Sequence, residues 1–233
     1  MKRGILIDLG DTVFSNIDLS MEVGGEYLYE MIRGNKPTHD QFFMIFNELV
    51  QRCYRNRQEL EVSFQAFLRT LSILLHIKFI TSNELLEIGF MQSFARNTMI
   101  QDVDRFLRYC KRHKLKVVAL SNSAFSKATL STQLASFGLL SFFNDVLSSA
   151  DYIFRKPSRA FFEVGISVLN YPKEDILFIG NDYEIDMKGG IEAGLECAWF
   201  CEKLDNQKIP APSFVFHTYR DLINRIKEEE THV

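Results

Sequence analysis

Three short apolar runs each end in residues able to do acid–base or phosphate chemistry. Asp8 follows "GILI", Ser121-Asn122 closes "KVVALSN", and Asn181-Asp182 closes "DILFIGND", with Asp186 four residues beyond Asp182. Lys156-Pro157 lies between the last two runs. The set offers three carboxylates, a fourth if Asp11 is counted, together with one hydroxyl and one ammonium. Hard oxygen donors of this kind suit Mg²⁺, which takes one or two carboxylates and completes its shell with phosphate oxygens and water. An ammonium and backbone N–H groups would balance the remaining phosphate charge. Each residue also has a plainer use. Asp8 can serve a turn, Ser121 and Asn122 can cap a helix, Lys156 can sit in a solvated loop, and Asp182 and Asp186 can charge a helix start. All of those would have to hold at once to imitate one ordered constellation.

The elements that must position these groups can be read from the pattern. The runs at 4–10, 116–123, 175–182 and, less regularly, 196–201 and 213–217 are apolar on both faces and end in turn residues, as buried strands of a parallel sheet do. Helical patterns at 103–114, 158–170 and 221–230 alternate with them, which predicts a doubly wound α/β sheet. Residues 17–98 break that rhythm with amphipathic stretches and no convincing strand, punctuated by helix starts at Thr38-His39-Asp40 and Thr81-Ser82-Asn83-Glu84. The expected organisation is an α/β core from 1–16 and 99–233 and an inserted α-helical bundle from 17–98. A bundle entering at the carboxyl end of a parallel strand lies over the crevice where such sheets bind ligands. Its natural role is a cap, with hinges expected near 15–18 and 97–102. Phe14 and Asn16, just past the first turn, are expected to face the cavity beneath it. Between two helices of the insert, Tyr54, Arg55 and Arg57 could bind an anionic or sugar leaving group, or form a solvated arginine turn.

Composition narrows the function classes. The 233 residues are 46% hydrophobic, enough for a sizeable core, with a net charge of −3 and a pI near 6.0. Basic and acidic residues are interspersed, so there is no electrostatic footprint for nucleic acid or for an anionic membrane. No apolar run approaches the ~20 residues of a membrane span, and the apolar start is cut short by Asp8. Four spaced cysteines, Cys53, Cys110, Cys197 and Cys201, match neither a disulfide framework nor a zinc spacing, so reduced thiols and a cytoplasmic setting are expected. The expected partner is a small phosphorylated molecule, and the protein is expected as a monomer or homodimer.

In these residues the chain resembles the haloacid dehalogenase-like hydrolases. That family carries four motifs in fixed order: a strand ending D-x-D-x-T, a strand ending in Ser or Thr, a lysine often before proline, and a strand followed by paired acids. Asp8 and Thr12, Ser121, Lys156 and "FIGNDYEID" match them in turn, and the insert resembles the helical cap of one subgroup. The resemblance implies a phosphatase in which Asp8 attacks phosphorus to form an aspartyl-phosphate. It further implies that Asp8, the Gly10 carbonyl and a fourth-motif acid hold Mg²⁺. Counting from Gly180 puts the family's first acid on Asn181, whereas counting back from Asp186 favours Asp182. The expected ligand is Asp182 with Asp186 as its partner, an order that could be reversed. Ser121 and the Asn122 N–H would hold the transferring oxygens, and Lys156 would neutralise charge shared with Asp8.

One position departs from the family pattern. The second aspartate of the first motif, which protonates the leaving group and then activates water, belongs at 10, where this chain has Gly10 and carries Asp11 one step late. A backbone carbonyl contact survives that change, whereas the proton-transfer duty does not pass automatically to Asp11. Adjacent residues leave an extended chain on opposite sides. Three readings stay open: a phosphatase with proton transfer moved to Asp11, a dehalogenase-type hydrolase, and a non-catalytic phosphate-binding protein on the same fold.

Overall fold

The computed structural model describes residues 2–55, 57–201 and 214–231. The first half of the chain runs β1 (Gly4–Ile7), β2 (Phe14–Leu19), α1 (Met21–Glu30), β3 (Ile32–Arg33), α2 (His39–Tyr54), α3 (Phe64–Leu74), β4 (Lys78–Phe79), α4 (Asn83–Phe94) and β5 (Ala95–Met99). The second half runs α5 (Val103–Arg112), β6 (Lys116–Ser121), α6 (Lys127–Ser136), β7 (Asp145–Ser148), α7 (Ser149–Tyr152) and α8 (Arg159–Leu169). It ends with β8 (Ile176–Gly180), α9 (Lys188–Glu192), β9 (Glu196–Phe200), β10 (Phe214–Phe216) and α10 (Tyr219–Thr231).

Six strands pair in parallel in the order β10-β9-β8-β1-β6-β7. Chain order reverses at β1, so β1 lies at the topological switch point, where the carboxyl ends of such sheets open a crevice. This is the α/β architecture expected from the alternating pattern. Odd residues of β1 (Ile5, Ile7) face a core layer shared with α5 and α10, and Leu6 faces one shared with Phe161 and Phe162 of α8. Strand β7 was not expected. Only Val146 and Leu147 of its four residues are large and apolar, too short a run to read as a strand without its β6 partner.

The expected helices of the insert form as α1 to α4. Thr38 closes a capping box with Gln41, and the Ser82 hydroxyl accepts the Leu85 N–H, as the start signals required. Phenylalanines at helical spacing, among them Phe42, Phe46, Phe67 and Phe90, make the insert's own core. The region is not wholly helical, however. β3 and β4 pair over two residues each, and β2 pairs antiparallel with β5. The segments expected as two hinge loops are therefore one two-stranded ribbon, bulged between Asn16 and Asp18, and the expected boundaries after residues 16 and 98 fall inside its strands. β2 escaped notice because four of its six residues are exposed and their types alternate poorly. Among the described residues no helix is long and apolar enough to cross a membrane, and none of the four cysteines, all of them described, is in a disulfide.

Candidate active site

Asp8 is the first residue past β1, and its N–H donates to the Ile179 carbonyl at 2.9 Å, so the sheet ladder fixes its backbone. Its side chain meets Lys156, whose Nζ lies 2.7 Å from Asp8 Oδ1 and 2.7 Å from Asp186 Oδ1. The Lys156 side chain is 1% exposed and that of Asp186 2%. Asp186 Oδ2 accepts the N–H groups of Asn181 and Asp182, at 3.0 and 3.1 Å, which fixes the loop after β8. Asp186 Oδ1 is buried without a well-directed hydrogen bond, held only by the Lys156 charge. Two carboxylates thus share one ammonium away from water. Burial pushes the Asp8 carboxyl up to about 6; Lys156 pulls against the shift and Asp186 adds to it. Burial alone would lower the Lys156 ammonium, but Asp186 and Asp8 hold it above its ordinary value.

The loop after Asp8 is anchored from below. Thr12 is fully buried, its hydroxyl donates to Asn181 Oδ1 at 3.2 Å, and the Tyr219 hydroxyl donates to the Thr12 carbonyl at 2.8 Å. Asp11 is exposed at φ 53°, and its N–H donates to the Phe14 carbonyl at 2.6 Å. That left-handed residue turns the chain back towards β2. Gly10 is exposed and does not occupy the left-handed region, so its lack of a side chain is not demanded by backbone conformation.

Asn122 clips the second and third motifs together. Its Nδ2 donates to the Lys156 carbonyl at 2.8 Å, and its Oδ1 accepts the Lys156 N–H at 2.7 Å. It therefore does not cap the following helix, which begins five residues later at Lys127. Asp182 is exposed and caps the wide helical turn at 183–187, accepting the Ile185 N–H at 2.9 Å.

A cavity of about 500 Å³ opens above these groups, between the sheet edge and the insert. Asp8, Gly10, Asp11, Phe14, Asn16, Ser121, Asn122, Lys156, Asp182 and Asp186 all line it, while Thr12 supports the loop from within the core. Of the arginine turn, Tyr54 and Arg57 line this cavity and Arg55 does not. Sequence reasoning missed Arg155, which lines the cavity beside Lys156, and Tyr219 and Trp199, which brace the site. The Trp199 indole N–H donates to the Asn181 carbonyl at 2.8 Å. Trp199 lay in a run read as a strand, so its bracing position was accessible. Nothing local marks Tyr219, whose partner is 207 residues away.

The residues present fit a hard divalent cation. The available donors are the carboxylates of Asp8 and Asp182 and the carbonyl of Gly10, an exposed residue at the cavity, all oxygen. Fully ionised, Asp8, Lys156 and Asp186 carry a net negative charge out of water, and one carboxylate oxygen lacks a directed hydrogen bond. Among the described residues no three His, Cys, Asp or Glu side chains cluster as a metal cage. A carbonyl, two carboxylates and substrate oxygens is a donor set suited to Mg²⁺.

Comparison with known proteins gives a consistent picture. A family model described as haloacid dehalogenase-like hydrolase matches residues 2–194. The pyrimidine 5'-nucleotidase PynA of Streptococcus pneumoniae is 32% identical over 94 residues, 40% of each chain. The chain thus aligns with well under half the length of that relative. In fold it is similar to a phosphatase from Thermococcus onnurineus (TM-score 0.67, 16% identity, 97% of this chain and 98% of that one). It is also similar to a 2-haloacid dehalogenase from Pseudomonas syringae (0.66, 15%, 98% and 99%). The magnesium-bound protein YfnB of Bacillus subtilis matches with a TM-score of 0.58 at 21% identity, over 97% and 99% of the two chains.

Proposed function

The chain belongs to the haloacid dehalogenase-like hydrolase family, and we propose that it is an Mg²⁺-dependent phosphatase that removes phosphate from a small phosphorylated metabolite. The observation that carries this reading is Asp8 at the sheet switch point, open to the cavity and ion-paired to a buried Lys156 that Asp186 also holds. An Asp8 carboxylate oxygen attacks phosphorus as the bond to the leaving oxygen breaks, giving an aspartyl-phosphate that water then hydrolyses. Ser121 and the Asn122 N–H hold phosphoryl oxygens, and Lys156 offsets the charge shared by Asp8 and the phosphoryl group. Asp11 gives the leaving oxygen its proton, Thr12 fixes the loop, and Phe14 and Asn16 meet the leaving group. Asp8, the Gly10 carbonyl and Asp182 would hold Mg²⁺, with Asp186 fixing the Asp182 loop; the cation relieves repulsion between carboxylate and phosphate. The helical insert acts as a cap. This reading needs no nucleic acid, membrane or second chain, and suits a monomer or homodimer.

Similarity to a pyrimidine 5'-nucleotidase makes nucleoside monophosphates a first substrate set to assay. Gly10 favours a second reading, a phosphate-binding protein that has lost turnover. Likeness to a dehalogenase is a likeness of fold and adds nothing to a dehalogenase reading. An aryl phosphate separates the first two, because a good leaving group needs little help from a general acid. Turnover with Mg²⁺, lost in EDTA and in Asp8→Asn, is expected. Absent turnover with Mg²⁺ binding intact would leave the binding-protein reading.

A further inference from the structure

The cavity has a second polar end, on the side of the insert. Glu61 follows α2 and has a fully buried side chain (0% exposed), faced by two guanidiniums. Arg57 Nη1 lies 2.5 Å from Glu61 Oε1, and Arg155 Nη1 lies 3.8 Å from Oε2, where the Ser149 hydroxyl already donates at 2.8 Å. One carboxylate cannot satisfy two guanidiniums that carry five donors each. Glu87, the other buried carboxylate nearby, is taken up by the N–H and hydroxyl of Ser126 and by Gln65. The Tyr54 hydroxyl is buried with no hydrogen-bond partner, and the Arg57 guanidinium lies 5.0 Å from its ring centre. Burial, followed by neighbouring Cys53, pushes that phenol far above its ordinary pKa, so it stays a donor. Tyr54, Arg57 and Arg155 all line the cavity that contains Asp8.

Two half-buried guanidiniums with donors that Glu61 does not meet, beside a buried phenol with no acceptor, suit an anion entering from the cavity. We infer that Tyr54, Arg57 and Arg155 form a second anion subsite, which binds a carboxylate or a second phosphate carried by the leaving group. Arg155 and Lys156 are consecutive, so one loop supplies a cation to each end of the cavity. The Arg155 N–H donates to the Glu59 carbonyl at 2.9 Å, which ties that loop to the insert. The subsite rests on the reading that the phosphoryl group sits at Asp8, and it narrows the substrate class to phosphomonoesters whose leaving group carries a second anionic group.

Calorimetric binding to the Asp8→Asn protein with Mg²⁺ tests this without requiring turnover. The matched probes are 3-phosphoglycerate against glycerol 3-phosphate for a carboxylate, and fructose 1,6-bisphosphate against fructose 1-phosphate for a second phosphate. The charged member of at least one pair is expected to bind about tenfold more tightly, the scale of one charge-assisted contact. Arg57→Gln or Arg155→Gln should abolish that advantage, Arg57→Lys should keep part of it, and Arg55→Gln, outside the cavity, should leave it intact. Tyr54→Phe removes one oxygen, spares the buried ion pair, and should reduce the advantage even if the arginine variants fold poorly. Equal binding within both pairs, or an advantage untouched by Tyr54→Phe and both glutamine variants, overturns the subsite. Failure of aryl phosphate turnover with the anion preference intact would instead overturn the phosphatase reading alone.

Discussion

Putting an aspartate at position 10 should give the leaving oxygen a better-placed proton donor than Asp11, which stands one residue late on an exposed left-handed turn. A Cβ at Gly10 meets no atom within 4 Å, and the backbone there is outside the left-handed region, so Gly10→Asp needs neither repacking nor strain. The Gly10 carbonyl is unchanged by the substitution. A positioned general acid is worth about 10² to 10⁴ in rate, which corresponds to ~2.7–5.4 kcal/mol of barrier at 1.36 kcal/mol per decade. The gain should fall on substrates whose leaving oxygen needs a proton. The assay is kcat/KM for an alkyl phosphate and for 4-nitrophenyl phosphate, in wild type and Gly10→Asp. The alkyl substrate should gain at least tenfold and the aryl substrate little. Adding Asp11→Asn should slow the alkyl reaction in the wild-type background and have a smaller effect in the Gly10→Asp background. The melting temperature should hold or rise slightly, because losing a glycine restrains the unfolded chain by about 0.4–1 kcal/mol. Equal gains on both substrates, or none with the fold intact, would refute the idea that proton transfer is what position 10 lacks.

Other substitutions report on the buried charges. Lys156→Met leaves Asp8 and Asp186 facing each other without a cation and should abolish turnover and cost about 3–5 kcal/mol in urea unfolding; adding Asp8→Asn should recover part of that stability. In EDTA, the raised pKa of Asp8 means the folded protein binds this proton more tightly than the unfolded chain. Its contribution is therefore full below pH 3.8 and is lost as pH rises through about 6. The wild type should thus lose about 2 kcal/mol more than Asp8→Asn between pH 4 and 7, most of the ~3 kcal/mol that the full shift is worth at 1.36 kcal/mol per pKa unit. A matching pH dependence in the two proteins would count against a buried, protonated Asp8. Glu87→Ala strands the buried N–H and hydroxyl of Ser126 and should destabilise by about 2–5 kcal/mol, measured by urea unfolding.

Elements that carry their own pattern were legible in the sequence. Strands β1, β6 and β8 are buried on both faces, so each shows as an unbroken apolar run. Helices α2 and α4 announce their starts through Thr38 and Ser82. The ribbon of β2 and β5 was not legible, because its strands pair across a helical insert of about eighty residues and expose most of one strand. Such pairing belongs to the closed chain, and no local period records it. Strand β7 failed for the opposite reason, being too short to display a period at all.

The site shows the same division between local and long-range information. Asp8, Ser121, Lys156 and Asp186 were legible because each stands at a strand end or in a known spacing, and parallel pairing then brings strand ends to one edge. What surrounds them was not, because it is assembled from loops. Asn122 binds both backbone groups of Lys156, a residue 34 positions away, so its amide holds a loop and not a helix end. Counting left the first fourth-motif acid open between Asn181 and Asp182 and kept Asp186 in either case, and the surroundings of Asp182 and Asp186 differ. Asp186 is buried on Lys156 and on two loop N–H groups, while Asp182 stands exposed at the cavity with one oxygen on a helix cap. Asp186 could offer a cation only Oδ1, and only by sharing it with Lys156, whereas Asp182 keeps one oxygen off its helix cap at an exposed position. Both acids line the cavity, and that difference in freedom supports the proposed division in which Asp182 takes the cation while Asp186 holds the loop after β8, a distinction that spacing alone does not carry.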